Sequence, residues 1–401
     1  MMTVHLGFLG IAAVGHFCLF TALINWSHGL TYLPKWVDRV ILASVLLSIA
    51  ATLIGGAWLV LHPWTAYPVP VRLYLAACVF NGAVVLPVVT VARLLRRVPE
   101  GIHGSSRTLD LAAEHGAESL IGDGRHAWWL RIPRNDSLRL RLNHWRVSRD
   151  DLPPALDGLS ILHVTDLHFA PTYRRAYFDR VIDALDSRVF DLVLFTGDLI
   201  DDPASLPWIE PVLSRVRGRM GSFAILGNHD CHHDTRAIIA EIERSGFEMI
   251  EGRWATLDVH GARLAIGGNN APWGPRPGRS AMPEADFSIL LSHAPDQFSW
   301  AVSEGVDLVL SGHNHGGQVR LPLFGPVLMP SRSGRRFDRG FFRKGRTLLY
   351  SNQGVGAEHP LRWNCLPEVA TFELLHARPT STSAHKQDWP RQRDDSSTSP
   401  V

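Results

Sequence analysis

Five times in this chain a short apolar run stops in a turn bearing Asp, Asn or His. "LSILHVT" (159–165) leads into Asp166-Leu167-His168, and "DLVLFTG" (191–197) leads into Asp198. "SFAILG" (222–227) leads into Asn228-His229-Asp230, "FSILLS" (287–292) into His293, and "VDLVLSG" (306–312) into His313-Asn314-His315. Short, mostly apolar runs bounded by turn residues suit strands buried on both faces. Helical patterns over 174–187 and 235–246 lie between them, and strands alternating with helices imply α/β layering. In open α/β sheets the carboxyl ends of the strands face one crevice. All five turns should therefore meet along one edge.

The side chains brought to that edge are Asp166, His168, Asp198, Asn228, His293, His313 and His315. They offer oxygen and nitrogen donors and no thiolate, a set suited to Mn²⁺, Fe or Zn²⁺. Seven ligands exceed the need of one tetrahedral ion. With one bridging carboxylate they suit two ions about 3.5–4 Å apart, which clamp the attacking and leaving oxygens of a displacement at phosphorus. The four cysteines are scattered without a C-x-x-C spacing, so neither a disulfide framework nor a cysteine zinc site is indicated. With 40 basic and 38 acidic residues the net charge is +2, which implies no bulk attraction to nucleic acid.

The first hundred residues have a different texture. Residues 40–61 and 73–92 are uncharged and long enough to cross a bilayer, and 6–26 is a further uncharged stretch containing His16 and Asn25. No Lys or Arg precedes residue 35, so a cleavable signal peptide is not indicated. Lys35 and Arg39 follow the first stretch and Arg93, Arg96 and Arg97 follow the last. The positive-inside rule then places the main domain in the cytoplasm, on a multi-pass protein of the inner cell membrane. Three spans without an internal repeat make no transport pathway. His16 and Asn25 read as helix-packing polar residues.

The expected organisation is a transmembrane region over 1–97, a juxtamembrane linker over 98–136 and a catalytic domain over 137–376. A polar, Pro/Ser-rich tail over 377–401 lacks the apolar content to fold. The linker is Gly- and charge-rich, with one short helix expected near 107–120. Residues 137–147 alternate apolar and polar side chains as a half-buried strand does.

The blocks "TDLH", "TGDLID", "LGNHD", "LSHAPD" and "SGHNHGGQ", in that order, resemble the signature of the calcineurin-like metallophosphoesterases. The flanks "LPPALDGLSILHVTDLH" and "SGHNHGGQVRLPLFGP" are similar to the membrane-associated bacterial branch of YaeI- and YkuE-type phosphodiesterases. The resemblance implies a four-layer α/β/β/α sandwich behind an N-terminal transmembrane helical region. It implies one ion on Asp166, His168, Asp198 and His315, and a second on Asp198, Asn228, His293 and His313, with Asp198 as the bridge. It makes His229 the general acid facing the phosphoryl group, Asp201 the carboxylate that orients it, and a metal-bridging hydroxide the nucleophile. Asp230 and Asp202 are weaker candidates for the orienting role. The implied activity is phosphodiester hydrolysis by a membrane-anchored enzyme, on a phosphoester that the anchor suggests is lipid-linked. A nuclease of the same superfamily and an inactive metal-binding scaffold are the alternatives. The absence of a basic stripe counts against the first, and the intact His229 and Asp201 against the second.

Several neighbours carry plainer readings. His163 should point away from the edge by strand alternation. His232 and His233 read as exposed, and Asp296 as a carboxylate at the start of a helix over 295–304. Gly312, Gly316 and Gly317 read as permission for a tight turn. Gln318 and Arg320 could reach a substrate or sit in a strand. Gln353, in "SNQG" (351–354), stands where the resembled family carries an arginine, which removes one phosphate contact.

Overall fold

The computed structural model describes residues 2–28, scattered positions between 40 and 62, and 64–377 apart from 187, 279 and 280. Most of the expected span 40–61, and the expected tail beyond 377, lie outside the described residues. The chain forms two compact units: Met1–Arg97 with Leu321–Arg336, and Val98–Arg320 with Phe337–Val401.

In the first unit one helix runs over Met2–His28. A second runs over Val69–Phe80 and continues through a π-helical turn, Asn81–Val85, into Leu86–Leu94. The wider turn falls where Pro87 lacks the N–H that a regular helix would use. Leu6–Trp26 and Val69–Leu94 are each long and apolar enough to cross a membrane. A Cβ on Gly15 would lie 1.7 Å from the Cys78 carbonyl oxygen, and one on Gly82 would lie 2.6 Å from that of Ile11. The two glycines therefore let the helix backbones approach closely, as small residues do between apolar helices. His16 hydrogen-bonds the Tyr74 hydroxyl across this contact, in keeping with a packing role. Asn25 does something else: it holds the segment Leu321–Arg336, with Nδ2 donating to Val327 O (3.1 Å) and Oδ1 accepting from Met329 N (2.8 Å).

The strands, in chain order, are β1 (Ile102–Asp110), β2 (Arg139–Arg149), β3 (Leu159–Val164), β4 (Phe190–Thr196), β5 (Gly218–Ile225), β6 (Glu248–Met249), β7 (Trp254–Val259) and β8 (Ala262–Asn269). They continue with β9 (Phe287–Ser292), β10 (Leu308–Ser311), β11 (Arg320–Leu321), β12 (Gly325–Pro326), β13 (Gly340–Lys344), β14 (Thr347–Ser351) and β15 (Glu368–His376). One mixed sheet has the order β1-β2-β15-β3-β4-β5-β6 and a second the order β13-β14-β10-β9-β8-β7, while β11 and β12 pair with each other. Neighbours among β3–β6 run parallel, as do β8, β9, β10 and β14.

Alternation along these strands divides the core. Ile161, Leu192, Leu194, Phe223 and Ile225 share a cluster with Leu264, Ile289, Leu291, Leu310 and Tyr350, which joins the two sheets. The opposite face of the first sheet, with Leu162, Val193 and Phe195, packs on Tyr177, Phe178, Val212 and Ile242 of its helices. The outer face of the second sheet, with Leu290, Val309 and Leu349, packs on Phe298 and Trp300. Burial on both faces explains why these strands read as nearly unbroken apolar runs.

Residues 98–136 differ from the expected linker. They supply β1, which pairs with β2 from Ile102↔Val147 to Asp110↔Arg139, and the helices Leu111–His115 and Ala117–Leu120. Leu109, Leu111, Leu120, Ile121 and Leu130 enter the core beside β3 and β4. The strand escaped notice because it is an edge: its burial pattern is mostly exposed, so no apolar run marks it. The expected helix over 295–304 is a 3-10 turn, Pro295–Gln297, followed by Phe298–Ser303, with Asp296 in its first turn.

Candidate metal centre

Each parallel strand delivers its turn to the same edge. Backbone bonds join neighbouring turns: Asp166 N donates to Gly197 O (2.9 Å), His168 N to Asp198 O (3.0 Å) and Gly312 N to His293 O (3.1 Å). Asp166, His168, Asp198, His313 and His315 all have positive φ, between 46° and 66°. Left-handed backbone is unfavourable for such residues, and its concentration here marks a site where side-chain placement overrides local conformational preference. The close approach needs glycines beneath it. A Cβ on Gly312 would fall 2.1 Å from Asp166 Oδ2, and one on Gly227 would fall 2.1 Å from Asp198 Oδ1. Gly312 thus serves approach to a carboxylate, whereas Gly316 (φ 61°) and Gly317 (φ 79°) do permit a tight turn.

The result is two donor clusters that meet at Asp198. Asp166, His168, Asp198 and His315 place one ligating atom each within 4.8 Å of one another, and so do Asp198, His293 and His313. His168 Nε2 lies 3.1 Å from His315 Nε2, and His293 Nε2 lies 2.9 Å from Asn228 Oδ1 and 3.3 Å from Asp198 Oδ2. Donor atoms sharing one ion at about 2.1 Å stand about 3.0–3.4 Å apart, and these pairs are at or near that spacing. His168 Nε2, however, lies 3.9 Å from Asp166 Oδ1 and 3.7 Å from Asp198 Oδ2, so small side-chain shifts would close the first cluster on an ion. Six of the seven expected ligands thus lie in buried clusters consistent with a dinuclear metal site, and half-buried Asn228 joins them through its contact with His293.

Partners outside the clusters aim the ligating atoms. His293 Nδ1 bonds the Thr196 carbonyl (2.8 Å) and His168 Nδ1 bonds Asp201 Oδ1 (2.8 Å), which turns both Nε2 atoms inward. Asp198 Oδ1 accepts from His229 N (2.8 Å), and Asp166 accepts from His313 N (3.0 Å). Burial opposes charge on His293, but the Asp198 carboxylate, its hydrogen bond and Asp166 overcome this and raise the imidazole to about 9. His168 is likewise raised: burial works against its charge, and Asp201, Asp166 and Asp198 outweigh it. Burial lowers His315 to about 3, and the charges of His168 and Arg362 push the same way.

His229 stands beside these clusters, less buried than the ligands, with Nδ1 2.7 Å from Asp201 Oδ1. The same oxygen therefore serves both His168 and His229, while Asp201 Oδ2 is buried without a hydrogen-bond partner among the described residues. Burial works against a charge on His229, but the Asp198 carboxylate and the Asp201 hydrogen bond raise its pKa above the usual imidazole range. Asp230 and Asp202 do not share this arrangement. Asp230 accepts from Leu199 N, Ile200 N and Gly227 N and so staples two turns together. Asp202 caps a 3-10 turn through Ala204 N.

The remaining neighbours fall into place. His163 is buried away from the clusters, with Nε2 2.9 Å from Thr196 Oγ1. His232 is exposed and His233 half-buried. Arg320 is buried, donating to Gly316 O (2.6 Å) and pairing with Asp338 (2.8 Å), so it braces the turn. Gln353 donates to Glu368 (2.7 Å), an internal contact. Asn314 donates to Phe337 O (3.1 Å). Two residues were missed. Trp273 places its ring 4.8 Å from that of His313 and 5.6 Å from that of His293. Arg362, fully buried, sets Nη2 3.3 Å from His315 Nδ1 and 2.8 Å from Gly356 O. Trp273 follows β8, a strand whose "ARLAIGGN" also ends at this edge and could have signalled it. Arg362 lies in an irregular segment that offered no pattern.

Comparison with known sequences agrees with this geometry. The profile of the family described as calcineurin-like phosphoesterase matches residues 159–317. The uncharacterized metallophosphoesterase YkuE of Bacillus subtilis is 31% identical over 236 residues, covering 56% of this chain and 81% of the relative. The phosphodiesterase YaeI of Escherichia coli is 29% identical over 221 residues, covering 54% and 82%. The UDP-2,3-diacylglucosamine pyrophosphatase LpxG of Chlamydia muridarum is 24% identical over 308 residues, covering 62% and 92%. The matched stretch opens with β3 and closes on the His313–His315 turn, so it contains every strand end that feeds the two clusters, and the chain belongs to the calcineurin-like phosphoesterases.

Proposed function

We propose that this metallophosphoesterase is a membrane-anchored phosphodiesterase using two divalent ions, with Mn²⁺, Zn²⁺ or Fe as the candidates its donors suit. The observation that carries the reading is the meeting of two donor clusters at one carboxylate, with an imidazole held 2.7 Å from Asp201 Oδ1 alongside. Asp166, His168, Asp198 and His315 would hold one ion, and Asp198, Asn228, His293 and His313 the other. Bound ions supply Lewis acidity toward a phosphoryl oxygen and lower the pKa of water. The chain's own part is then positional and acid–base. His229 presents Nε2 to the substrate while Asp201 fixes Nδ1, so the imidazole donates a hydrogen bond to the phosphoryl group and delivers a proton to the leaving oxygen. Asp201 keeps that proton in place toward neutral pH by its charge.

Diester specificity is supported by the likeness to YaeI. A lipid-linked phosphoester is supported by the two long apolar helices and by LpxG, whose name gives it a diacylated substrate. The basic residues flanking the apolar stretches support a multi-pass inner-membrane protein with its catalytic unit in the cytoplasm. The full chain in detergent micelles should hydrolyse an aryl phosphodiester faster than the monoester when supplied with Mn²⁺ or Zn²⁺. Asp198→Asn and His229→Ala should both lose activity, and rates equal to the parent in both variants would overturn the mechanism. Metal analysis of fully loaded protein tests the two-ion layout, which a content of one ion per chain would exclude.

A further inference from the structure

Between the metal turn and β13 the chain makes an excursion, Leu321–Arg336, that belongs to the unit of the two apolar helices. Its sequence, "LPLFGPVLMPSRSGRR", contains no acidic residue and places its three arginines in its last five positions. Phe324 and Met329 are buried, whereas Leu323 is 70% and Leu328 50% exposed. Irregular backbone survives at membrane depth only where protein groups satisfy its N–H and C=O. Several groups of this segment are satisfied in that way. Pro322, Pro326 and Pro330 bring no N–H at all. Asn25, on the first apolar helix, takes up Val327 O and Met329 N. The Phe324 carbonyl accepts from Arg93, and from Arg335 at 3.1 Å. The Phe17 ring packs 5.3 Å from that of Phe324, and the Arg335 guanidinium covers its other contact at 4.2 Å.

We propose that Leu321–Arg336 is a lipid-contacting element, with Leu323 and Leu328 in the acyl region and the arginine-rich end at the headgroups. This rests on the proposed membrane anchoring. Its occupant is lipid rather than protein because the segment continues an apolar helix surface, and because an apolar run closed by Arg suits a bilayer boundary. The two ends of the excursion return to the metal turn. Arg320, just before it, bonds Gly316 O and pairs with Asp338, and Phe337, just after it, accepts from Asn314 between the two histidines. The element is thereby joined at each end to a residue that braces the His313–His315 turn.

The test uses the full chain with Cys18→Ala and Cys231→Ser, carrying Leu323→Cys or Leu328→Cys labelled with bimane and reconstituted in phosphatidylglycerol/phosphatidylethanolamine vesicles. A single gel-filtration peak in detergent shows that each variant folds. Val84→Cys, on the second helix, reports the anchoring itself, and Glu243→Cys, exposed on the second unit, reports water. Doxyl-labelled lipid should quench positions 323, 328 and 84, and aqueous iodide should quench only 243. Quenching of 323 and 328 by iodide, with 84 still quenched by lipid, would overturn the lipid contact and leave the anchoring intact. Quenching of 323 and 328 by neither agent would assign the surface to a protein partner and equally overturn it. Iodide reaching position 84 would overturn the anchoring reading and this inference with it.

Discussion

Asp201 serves two imidazoles through one oxygen, and its second oxygen is buried without a partner among the described residues. A carboxylate left half-satisfied is costly unless its charge is used, and here the charge holds protons on His168 and His229. Removing His229 should slow hydrolysis about 10²- to 10⁴-fold, the range for a positioned general acid. Asp201→Asn should cost less, about 10- to 100-fold, as for a partner that orients a ligand, and it should also move the pH profile. Asp201 raises the His229 pKa, so the protonated acid persists to higher pH in the parent. The alkaline limb of kcat against pH should therefore shift downward in Asp201→Asn, and an unmoved limb would remove His229 from the acid role. The ligands carry a second consequence. His293, raised to about 9, holds a proton at neutral pH in the metal-free chain, His168 is shifted in the same direction, and His315, lowered to about 3, holds none. Ligation requires neutral imidazole, so metal uptake at pH 7 should release protons and weaken as pH falls. Calorimetry in buffers of different ionisation enthalpy measures the release directly.

Among elements, what the sequence made legible follows from burial. Strands β3, β4, β5, β9 and β10 are hidden on both faces, so their apolar runs and the polar turns after them stood out, and with them all seven proposed ligands. The edge strand β1, the last strand β15 that enters between β2 and β3, and the excursion before β13 carried no such signal. Each is defined by long-range pairing, which composition does not record. The same holds for the polar bridge between the sheets. Tyr350 on β14 accepts from Trp145 Nε1 (3.0 Å) on β2 and bonds Glu368 on β15. Tyr350→Phe would strand both partners in a buried layer, and should destabilise the fold by about 1–3 kcal/mol in denaturant titration. Gly312→Ala acts at the other end of a strand, pushing a methyl against Asp166. Metal affinity should fall about 10- to 100-fold while thermal stability of the metal-free chain changes little, and equal metal affinity would remove Gly312 from its place beneath the ligand.

At the scale of the whole molecule, neither unit is one continuous stretch of chain. The helices of the first unit claim Leu321–Arg336 from within the second, and residues 98–136 belong to the second unit and not to a tether. A soluble catalytic fragment therefore cannot be made by cutting in one place. Starting at residue 137 removes β1, whose nine residues pair with β2, and also removes Leu109, Leu111, Leu120 and Ile121 from the core. An unpaired edge and an opened core favour aggregation. Starting at Val98 keeps both, but leaves 321–336 without Asn25 and Arg93, so its apolar side chains, the Val327 carbonyl and the Met329 N–H lose their partners on the first unit's helices. Fragment 98–377 should thus require detergent, whereas the same fragment with 321–336 replaced by a short Gly/Ser linker should run as a single species in detergent-free gel filtration. The Arg320 guanidinium pairs with Asp338 across the base of the excursion, and closing a short flexible loop there costs little entropy. The shortened fragment should keep its two ions and its hydrolysis of a soluble aryl diester. If it instead needs detergent as the uncut fragment does, the apolar excursion is not the source of that need, and the lipid contact proposed for it loses its support.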